Sequence, residues 1–240
     1  MKKTSLTLLA TLLVACGGQA PLDKGADKTA EAVAPDAAGT PAPSEAATEA
    51  PKKPEDTRVL ADSGLGVGGK LRAFQITNCD SGEEYCQVCR YGNSPKIMAV
   101  GAVDDADFRN DLQNIDAVVK KYGEDRVKAF GVIAEIEGGK GLTPKENRDE
   151  LIAEIKKMRE ELDITIPVVI PTLEENGANE AFDGYYNITK SRTLMFADGR
   201  NAVRYSAVAP SDLAELSKAI QEVIGGDAPA EDAAAEPAKG

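Results

Sequence analysis

The sequence predicts an α/β domain built on a mixed sheet with helices on both faces. Short apolar runs of strand length alternate with longer amphipathic segments, and a turn dipeptide separates two late apolar runs. Strand, helix, strand, helix and strand, followed by a hairpin and a closing helix, is the order typical of such a sheet. The mostly apolar character of the earlier strands favours parallel strands that are buried on both faces.

Two strands and a helix open the predicted domain. Residues 71–77 and 97–103 are apolar runs of strand length, and residues 105–122 form an amphipathic helix that ends at Gly123. The acidic segment Asp104-Asp105-Ala106-Asp107 is predicted to cap this helix, because carboxylates are stabilising at a helix start. The buried face of the helix carries apolar side chains at helical spacing, namely Phe108, Leu112, Ile115 and Val119.

The middle of the domain continues the alternation. Residues 127–134 are predicted as a strand, and Thr143-Pro144 is predicted to begin a helix that runs to about Leu162. The glycine-rich residues 135–141 between them lack the spacing of a phosphate loop, so we interpret them as a flexible connection. Residues 166–170 form the next strand, and Pro171 closes it.

A hairpin and a helix complete the pattern. Residues 193–197 and 202–207 are strand-like runs joined through the turn dipeptide Asp198-Gly199. A last helix is predicted after Pro210-Ser211, because apolar residues recur there at helical spacing. Its buried stripe consists of Leu213, Leu216, Ile220 and Ile224.

The composition divides the chain into four parts. Residues 1–15 have two lysines, a short apolar run and a small-residue end, as in a signal peptide. Residues 16–57 are rich in Ala, Pro, Glu and Thr and are predicted to be a disordered tether. Residues 58–225 are the domain, which has the size of a single hydrophobic core. Residues 226–240 resemble the tether in composition and are predicted to be a disordered tail.

The N-terminal run ends in the segment Leu13-Val14-Ala15-Cys16-Gly17. This segment resembles the lipobox of bacterial lipoproteins, and the resemblance implies that Cys16 becomes the lipidated first residue of the mature protein. A lipid anchor implies an extracytoplasmic location in the cell envelope, with the membrane as a partner. Gly17 in place of an inner-membrane retention aspartate favours the outer membrane, facing the periplasm or the cell surface, if the cell has one.

The charge of the chain argues against polyanionic partners. The formal net charge is −12, which makes nucleic acid and anionic lipid surfaces poor ligands. The chain also has no histidine, so Ser-His and Cys-His dyads and a histidine general base are excluded. No motif indicates a bound cofactor.

Three cysteines remain for chemistry in an oxidising compartment: Cys79, Cys86 and Cys89. The order of elements, together with Cys86-Gln87-Val88-Cys89, resembles the thioredoxin-like superfamily, most closely its redoxin or peroxiredoxin-type branch. The resemblance extends over about residues 66–224, and Phe196-Ala197-Asp198-Gly199 is similar to the late hairpin of those domains. It implies thiol–disulfide oxidoreductase activity on protein clients, with Cys86 attacking if it is the exposed thiol and Cys89 resolving.

The sequence departs from that family at its reactive position. Thioredoxins place the CxxC after the first strand of the core βαβ unit, whereas here it precedes residues 97–103, and the acidic segment 104–107 follows that strand. Residues 90–95 are turn-forming, which argues against a helix that starts at the CxxC. The proline before the late strand is missing. Arg192 lies where peroxiredoxins keep an arginine near their thiol.

Three interpretations of the cysteines therefore remain open. The first is thiol–disulfide exchange through Cys86 and Cys89, with Arg90 favouring a thiolate. The second is a structural disulfide, either between these two or between Cys79 and one of them, in a domain that serves as a non-catalytic binding or structural module. The third is a Zn²⁺ or Cu(I) site of three thiolates, with a carboxylate such as Asp80 or Glu83 as a fourth ligand for zinc.

Overall fold

The computed structural model describes residues 58–225. The predictions of a signal peptide, a lipidated Cys16, a tether and a C-terminal tail concern residues outside this range. Within it the chain forms fourteen elements. In chain order they are β1 (Ile76–Asn78), β2 (Glu84–Tyr85), α1 (Gln87–Arg90), β3 (Lys96–Gly101), α2 (Ala106–Tyr122), β4 (Lys128–Ile133), β5 (Glu135–Glu137), β6 (Lys140–Leu142), α3 (Arg148–Leu162), β7 (Val168–Pro171), α4 (Glu180–Asp183), β8 (Thr193–Ala197), β9 (Val203–Val208) and α5 (Ala214–Ile224).

The main sheet has seven strands in the order β2-β1-β7-β4-β3-β8-β9. Strands β3, β4 and β7 are parallel, while β1 pairs antiparallel with β7 and β8 pairs antiparallel with β3. All six residues of β3 are buried, as expected for a central strand covered on both faces. The predicted mixed sheet is therefore confirmed.

Alternate residues of the central strands divide the core into two clusters. Ile97 and Ala99 face the first cluster, which packs α2, α3 and α5 against the sheet. Met98 and Val100 face the second cluster, which is covered by the short helices α1 and α4 and by residues 58–75. This alternation follows from the two-residue period of a strand. Helices thus cover both faces, as the sequence predicts.

The long elements appear where the apolar periodicity places them. Helix α2 begins after Asp105, whose carboxylate accepts the backbone N–H groups of Asp107 and Phe108, so the predicted acidic cap is confirmed. The hairpin of β8 and β9 also matches. Gly199 in its loop is constrained by a close approach, because a Cβ there would overlap the carbonyl oxygen of Asn93.

Four local predictions were wrong. The predicted strand 71–77 is reduced to β1. Helix α3 begins at Arg148 instead of after Thr143, because Thr143 donates its backbone N–H and its hydroxyl to Asp183 at 2.8 and 2.7 Å. The glycine-rich residues 135–141 form most of the β5–β6 hairpin instead of a flexible connection. A one-turn helix, α1, does begin at the CxxC.

The described domain has a buried polar anchor between α2 and the start of β7. Asp116 is buried, and one of its carboxylate oxygens accepts the backbone N–H groups of Thr165 and Ile166 and the hydroxyl of Thr165 at 2.8–3.0 Å. The exposed Lys120 pairs with the other oxygen at 2.7 Å. Burial alone would raise the pKa of Asp116, but these hydrogen bonds outweigh it and hold the pKa below its ordinary value.

We predict that Asp116→Ala lowers the free energy of unfolding by about 2–3 kcal/mol, because three donors lose a charged acceptor. Urea unfolding at about pH 7 checks this, and Lys120→Ala, which removes only the exposed partner, should cost much less. The lowered folded-state pKa stabilises the protein above the unfolded value of about 4, and this contribution is lost as the pH falls through the folded pKa. The difference between wild type and Asp116→Ala should therefore shrink at about pH 3; a difference that stays constant would contradict this assignment.

Candidate functional site

Cys86 and Cys89 form a disulfide at the two ends of a single helical turn. Their Cα atoms are 5.2 Å apart, and Cys86 is the N-cap of α1. The backbone N–H of Cys89 points to the sulfur of Cys86 at 3.1 Å. Cys89 is exposed, whereas Cys86 is half-buried and packs against the second core cluster. Cys86 is expected to attack only if it is the exposed cysteine. Cys89 is the more exposed of the two, so this criterion favours Cys89 as the attacking thiol.

Buried neighbours hold α1 in place. Val88 is buried in the second core cluster, and the Tyr91 ring meets the Phe130 ring edge-on at 5.9 Å. The Tyr91 hydroxyl donates to the carbonyl oxygen of Ala129 at 2.8 Å, and burial raises the pKa of this hydroxyl well above its ordinary value. Gln87 is only 2% exposed. The turn that carries the disulfide is thus fixed to the amino end of β4.

Lys96 ties the segment after the disulfide to the late hairpin. Its side chain is fully buried, and its Nζ donates to the carbonyl oxygen of Gly92 at 2.7 Å and to Asn201 Oδ1 at 2.6 Å. Burial lowers the pKa of Lys96, and nearby Asp198 offsets part of that effect. Sequence reasoning missed Lys96 and Tyr91; a lysine at the head of an otherwise apolar run was the available signal.

Arg90 does not contact a sulfur. Its guanidinium lies 4.5 Å from the centre of the Tyr85 ring and 3.7 Å from Glu83, both on the surface beside the disulfide. Together with Glu84 these residues line an open cleft next to Cys86 and Cys89. In the described contacts Arg90 lines this cleft. The expectation that Arg90 stabilises a neighbouring thiolate concerns the reduced state and stays a prediction.

Cys79 is separated from the other two cysteines by the sheet. Its thiol is free and buried in the first core cluster, whereas Cys86 packs on the second. Burial raises the pKa of Cys79 to about 12, although Arg148 and Arg159 act in the opposite direction. The alternative of a disulfide that involves Cys79 is not realised. Within residues 58–225 no group of three or more Cys, Asp or Glu side chains is arranged to hold a metal ion.

An ion-pair network lies at the end of the sheet where thioredoxins carry their cysteines. Arg192 donates to both carboxylate oxygens of Asp111 at 2.7 and 3.1 Å and to Asp107 at 3.2 Å. Ser191 donates to the capping Asp105 at 2.7 Å. Burial raises the pKa of Asp105, but the bonds from Ser191 and two backbone N–H groups bring it below its ordinary value. This end, at the carboxyl edge of β3, therefore holds a paired Asp–Arg network and none of the three described cysteines.

The segment that follows the disulfide is held at the opposite end of the same strand. Helix α1 precedes β3, and Tyr91 and Lys96 attach it to the amino edge of β3 and β4. The departure noted in the sequence thus has a structural counterpart, because the CxxC precedes β3 and the segment after it is held at the amino end of β3 and β4. No helix among residues 58–225 is long and apolar enough to cross a membrane.

Comparison with solved structures identifies the fold. A thiol-disulfide isomerase from Corynebacterium glutamicum matches with a TM-score of 0.52 at 13% identity, over 67% of this chain and 98% of that one. A provisionally assigned protein disulfide isomerase from Bacteroides thetaiotaomicron matches with a TM-score of 0.51 at 14% identity, over 68% and 94%. A thioredoxin-like superfamily protein gives 0.51 at 14% identity, over 67% and 99%. No family model and no curated protein matches the sequence. At these identities the similarity establishes a thioredoxin-like fold.

We predict that the three cysteines differ sharply toward alkylation. After mild reduction of the folded protein at about pH 8, iodoacetamide should modify Cys86 and Cys89 and leave Cys79 unmodified, because only the thiolate reacts and Cys79 is a buried thiol. Peptide mass spectrometry assigns the modified sites, and the same labelling in denaturant, where Cys79 must react, is the control. Modification of Cys79 in the folded protein at the rate of Cys89 would contradict the structure.

Proposed function

We propose that this chain is a membrane-anchored, extracytoplasmic thiol–disulfide oxidoreductase that acts through Cys86 and Cys89, with a lipid on Cys16 as its anchor. The observation that carries the proposal is a disulfide between one exposed cysteine, Cys89, and one half-buried cysteine, Cys86. The thioredoxin-like fold supports it as a scaffold, and the lipobox-like segment supports the location. Protein thiols and disulfides are the proposed clients.

The chemistry begins at the exposed sulfur. A client thiolate attacks Cys89 Sγ, a client–Cys89 disulfide forms, the Cys86–Cys89 bond breaks, and Cys86 leaves as a thiolate. The Cys89 N–H that already points to Cys86 Sγ would hydrogen-bond this leaving thiolate. A second client thiolate then attacks the client sulfur, so that the client gains a disulfide and Cys89 is released as a thiolate. Both thiolates take up protons, and the client's two electrons now reside on the dithiol.

The same steps run in reverse when the dithiol reduces a client disulfide. Cys89 then attacks, and Cys86 resolves the mixed disulfide. This assignment exchanges the roles that family analogy gives to the two cysteines, for the reason that Cys89 is the more exposed. The course of thiol–disulfide exchange depends on access to the sulfur and on the stability of the leaving thiolate. Both factors favour Cys89 as the attacking cysteine and Cys86 as the resolving one.

One observation favours a second candidate function. The Asp111–Arg192 pair and its neighbours occupy the position at which the fold usually carries its reactive thiol. A domain without a reactive thiol at that position can serve as a binding or structural module, with Cys86–Cys89 as a structural disulfide. The reduction potential separates the two candidates.

We predict that the Cys86–Cys89 pair of the full-length protein has a reduction potential above about −270 mV, within the range of exchanging oxidoreductases. The measurement follows all cysteines by mass-tagged alkylation across a glutathione redox series, and a Cys79→Ala variant confirms which pair titrates. A potential below about −300 mV would mark a structural disulfide and reject the proposed activity.

We predict a difference between the two single-cysteine variants at the site. Cys86→Ser leaves the exposed Cys89, which should form a mixed disulfide with oxidised glutathione about tenfold faster than the half-buried Cys86 does in Cys89→Ser, because attack requires access. Both variants carry Cys79→Ala so that a single described thiol reports. Faster reaction of Cys86 would restore it as the attacking cysteine and overturn the assigned order.

A further inference from the structure

A groove lies at the carboxyl end of β3 and β4, and neither Cys86 nor Cys89 lines it. Its volume is about 660 Å³, within the range of about 300–1,000 Å³ that is typical of ligand sites. The β5–β6 hairpin forms one wall, and the start of α3 forms the other. Apolar residues from both walls and from the ends of the two strands line it, among them Val103, Ile133, Ile136, Pro144 and Leu151. We call this feature the β5 groove.

Acidic side chains surround the apolar lining of the β5 groove. Six carboxylates line it and no basic side chain does; they are Asp104, Glu135, Glu137, Glu146, Glu150 and Glu154. Only Glu154 has an ion pair, with Arg109 at 3.1 Å, and among residues 58–225 the other five have none. Like charges that face one another across a concave surface concentrate negative potential there. The groove is therefore complementary to a ligand that is both cationic and apolar.

The backbone of β5 adds a second kind of recognition. Gly138 and Gly139 both have left-handed φ, at 56° and 75°, and form a two-residue hairpin turn between β5 and β6. In such a hairpin the flanking residues form the hydrogen-bonded pair, so the next pair, Ile136 and Gly141, directs its backbone groups outward. Gly141 accordingly donates to the carbonyl oxygen of Ile188 on the outer side of β6 at 2.6 Å.

The backbone groups of Ile136 point away from β6, and within the described part of the chain they have no hydrogen-bond partner. This N–H and C=O belong to the open edge of β5. An open strand edge is a template for an added strand, whose main chain supplies the missing donors and acceptors. Ile136 is one of the residues that line the groove, so this edge belongs to the same site.

We propose that the β5 groove binds an extended polypeptide segment in which Lys or Arg alternates with apolar residues. The segment pairs its backbone with Ile136 and adds a strand to β5. In an added strand, successive side chains point to opposite faces, so basic residues two apart lie beside Glu135 and Glu137, which are also two apart. The intervening apolar residue packs beside Ile136. The site is independent of the disulfide and gives the protein a second, non-covalent partner surface.

Binding of a defined peptide to the full-length protein tests the proposal. The probe is fluorescein-labelled Lys-Val-Lys-Val-Lys with blocked ends, followed by fluorescence anisotropy at low salt. Spermidine, which carries a similar positive charge without a peptide backbone, is the competitor. The peptide should bind, and an equal concentration of spermidine should leave most of it bound. Failure of the peptide to bind, or equal competition by spermidine, would overturn the proposal.

Two sets of variants locate the site. Glu137→Gln with Glu150→Gln should weaken peptide binding by about fivefold, because two exposed ionic contacts are lost. The matched control, Glu160→Gln with Glu175→Gln, removes the same charge from exposed positions outside the groove and should leave binding unchanged. Equal weakening by both pairs would show that peptide binding depends only on the net charge of the protein and would reject the groove as the binding site.

The strand edge has its own test. Ile136→Pro removes the free N–H and keeps all six carboxylates, and proline is tolerated on edge strands. It should abolish peptide binding, whereas Ile136→Val should preserve it. Continued protection of Cys79 from alkylation shows that the proline variant is folded; if it unfolds, the Glu137/Glu150 pair decides. Unchanged binding by the folded proline variant would overturn strand addition.

Discussion

The burial of β3 is the constraint on which the rest of the structure depends. All six of its residues are buried, and it pairs in parallel with β4 on one side and antiparallel with β8 on the other. Core clusters cover both of its faces. A strand enclosed in this way can present chemistry only where it begins and where it ends. The segment that follows the disulfide is attached at its amino end, and the Asp–Arg network and the β5 groove lie at its carboxyl end.

The two ends differ in how their polar groups are satisfied. At the carboxyl end Arg192 pairs with Asp111 through two hydrogen bonds, and Asp105 caps α2, so the groups that could do chemistry there are already engaged. At the amino end the anchoring is done by buried groups behind the disulfide, with Lys96 and Tyr91 fixing the backbone. Cys89 remains an exposed residue on this anchored turn. A rigid base with an accessible sulfur is what exchange chemistry requires.

Local periodicity accounts for the elements that sequence reasoning placed well. Helix α2 and the β8–β9 hairpin carry their own signals, a regular apolar stripe with an acidic cap in one and the Asp198-Gly199 turn in the other. The elements placed wrongly depend on contacts between distant residues. The Thr143 side chain and N–H bond to Asp183, forty residues away, and α3 consequently starts later. The β5–β6 hairpin is too short for its alternation to stand out, and its three glycines suggested only flexibility.

By itself the sequence determined the fold class, the absence of histidine chemistry and the set of cysteines available within the domain. These follow from composition and from periodicities that span a few residues. Only the tertiary structure decided that Cys86 pairs with Cys89, that Cys79 is buried apart from them and that Cys89 is the more exposed residue of the pair. The physical reason is that the sheet separates the two core clusters, so residues only seven apart in sequence, such as Cys79 and Cys86, pack on opposite faces. The attachment of the segment after the disulfide at the amino end of β3, and the position of the acidic groove at its carboxyl end, likewise depend on strand pairing, which no local pattern contains.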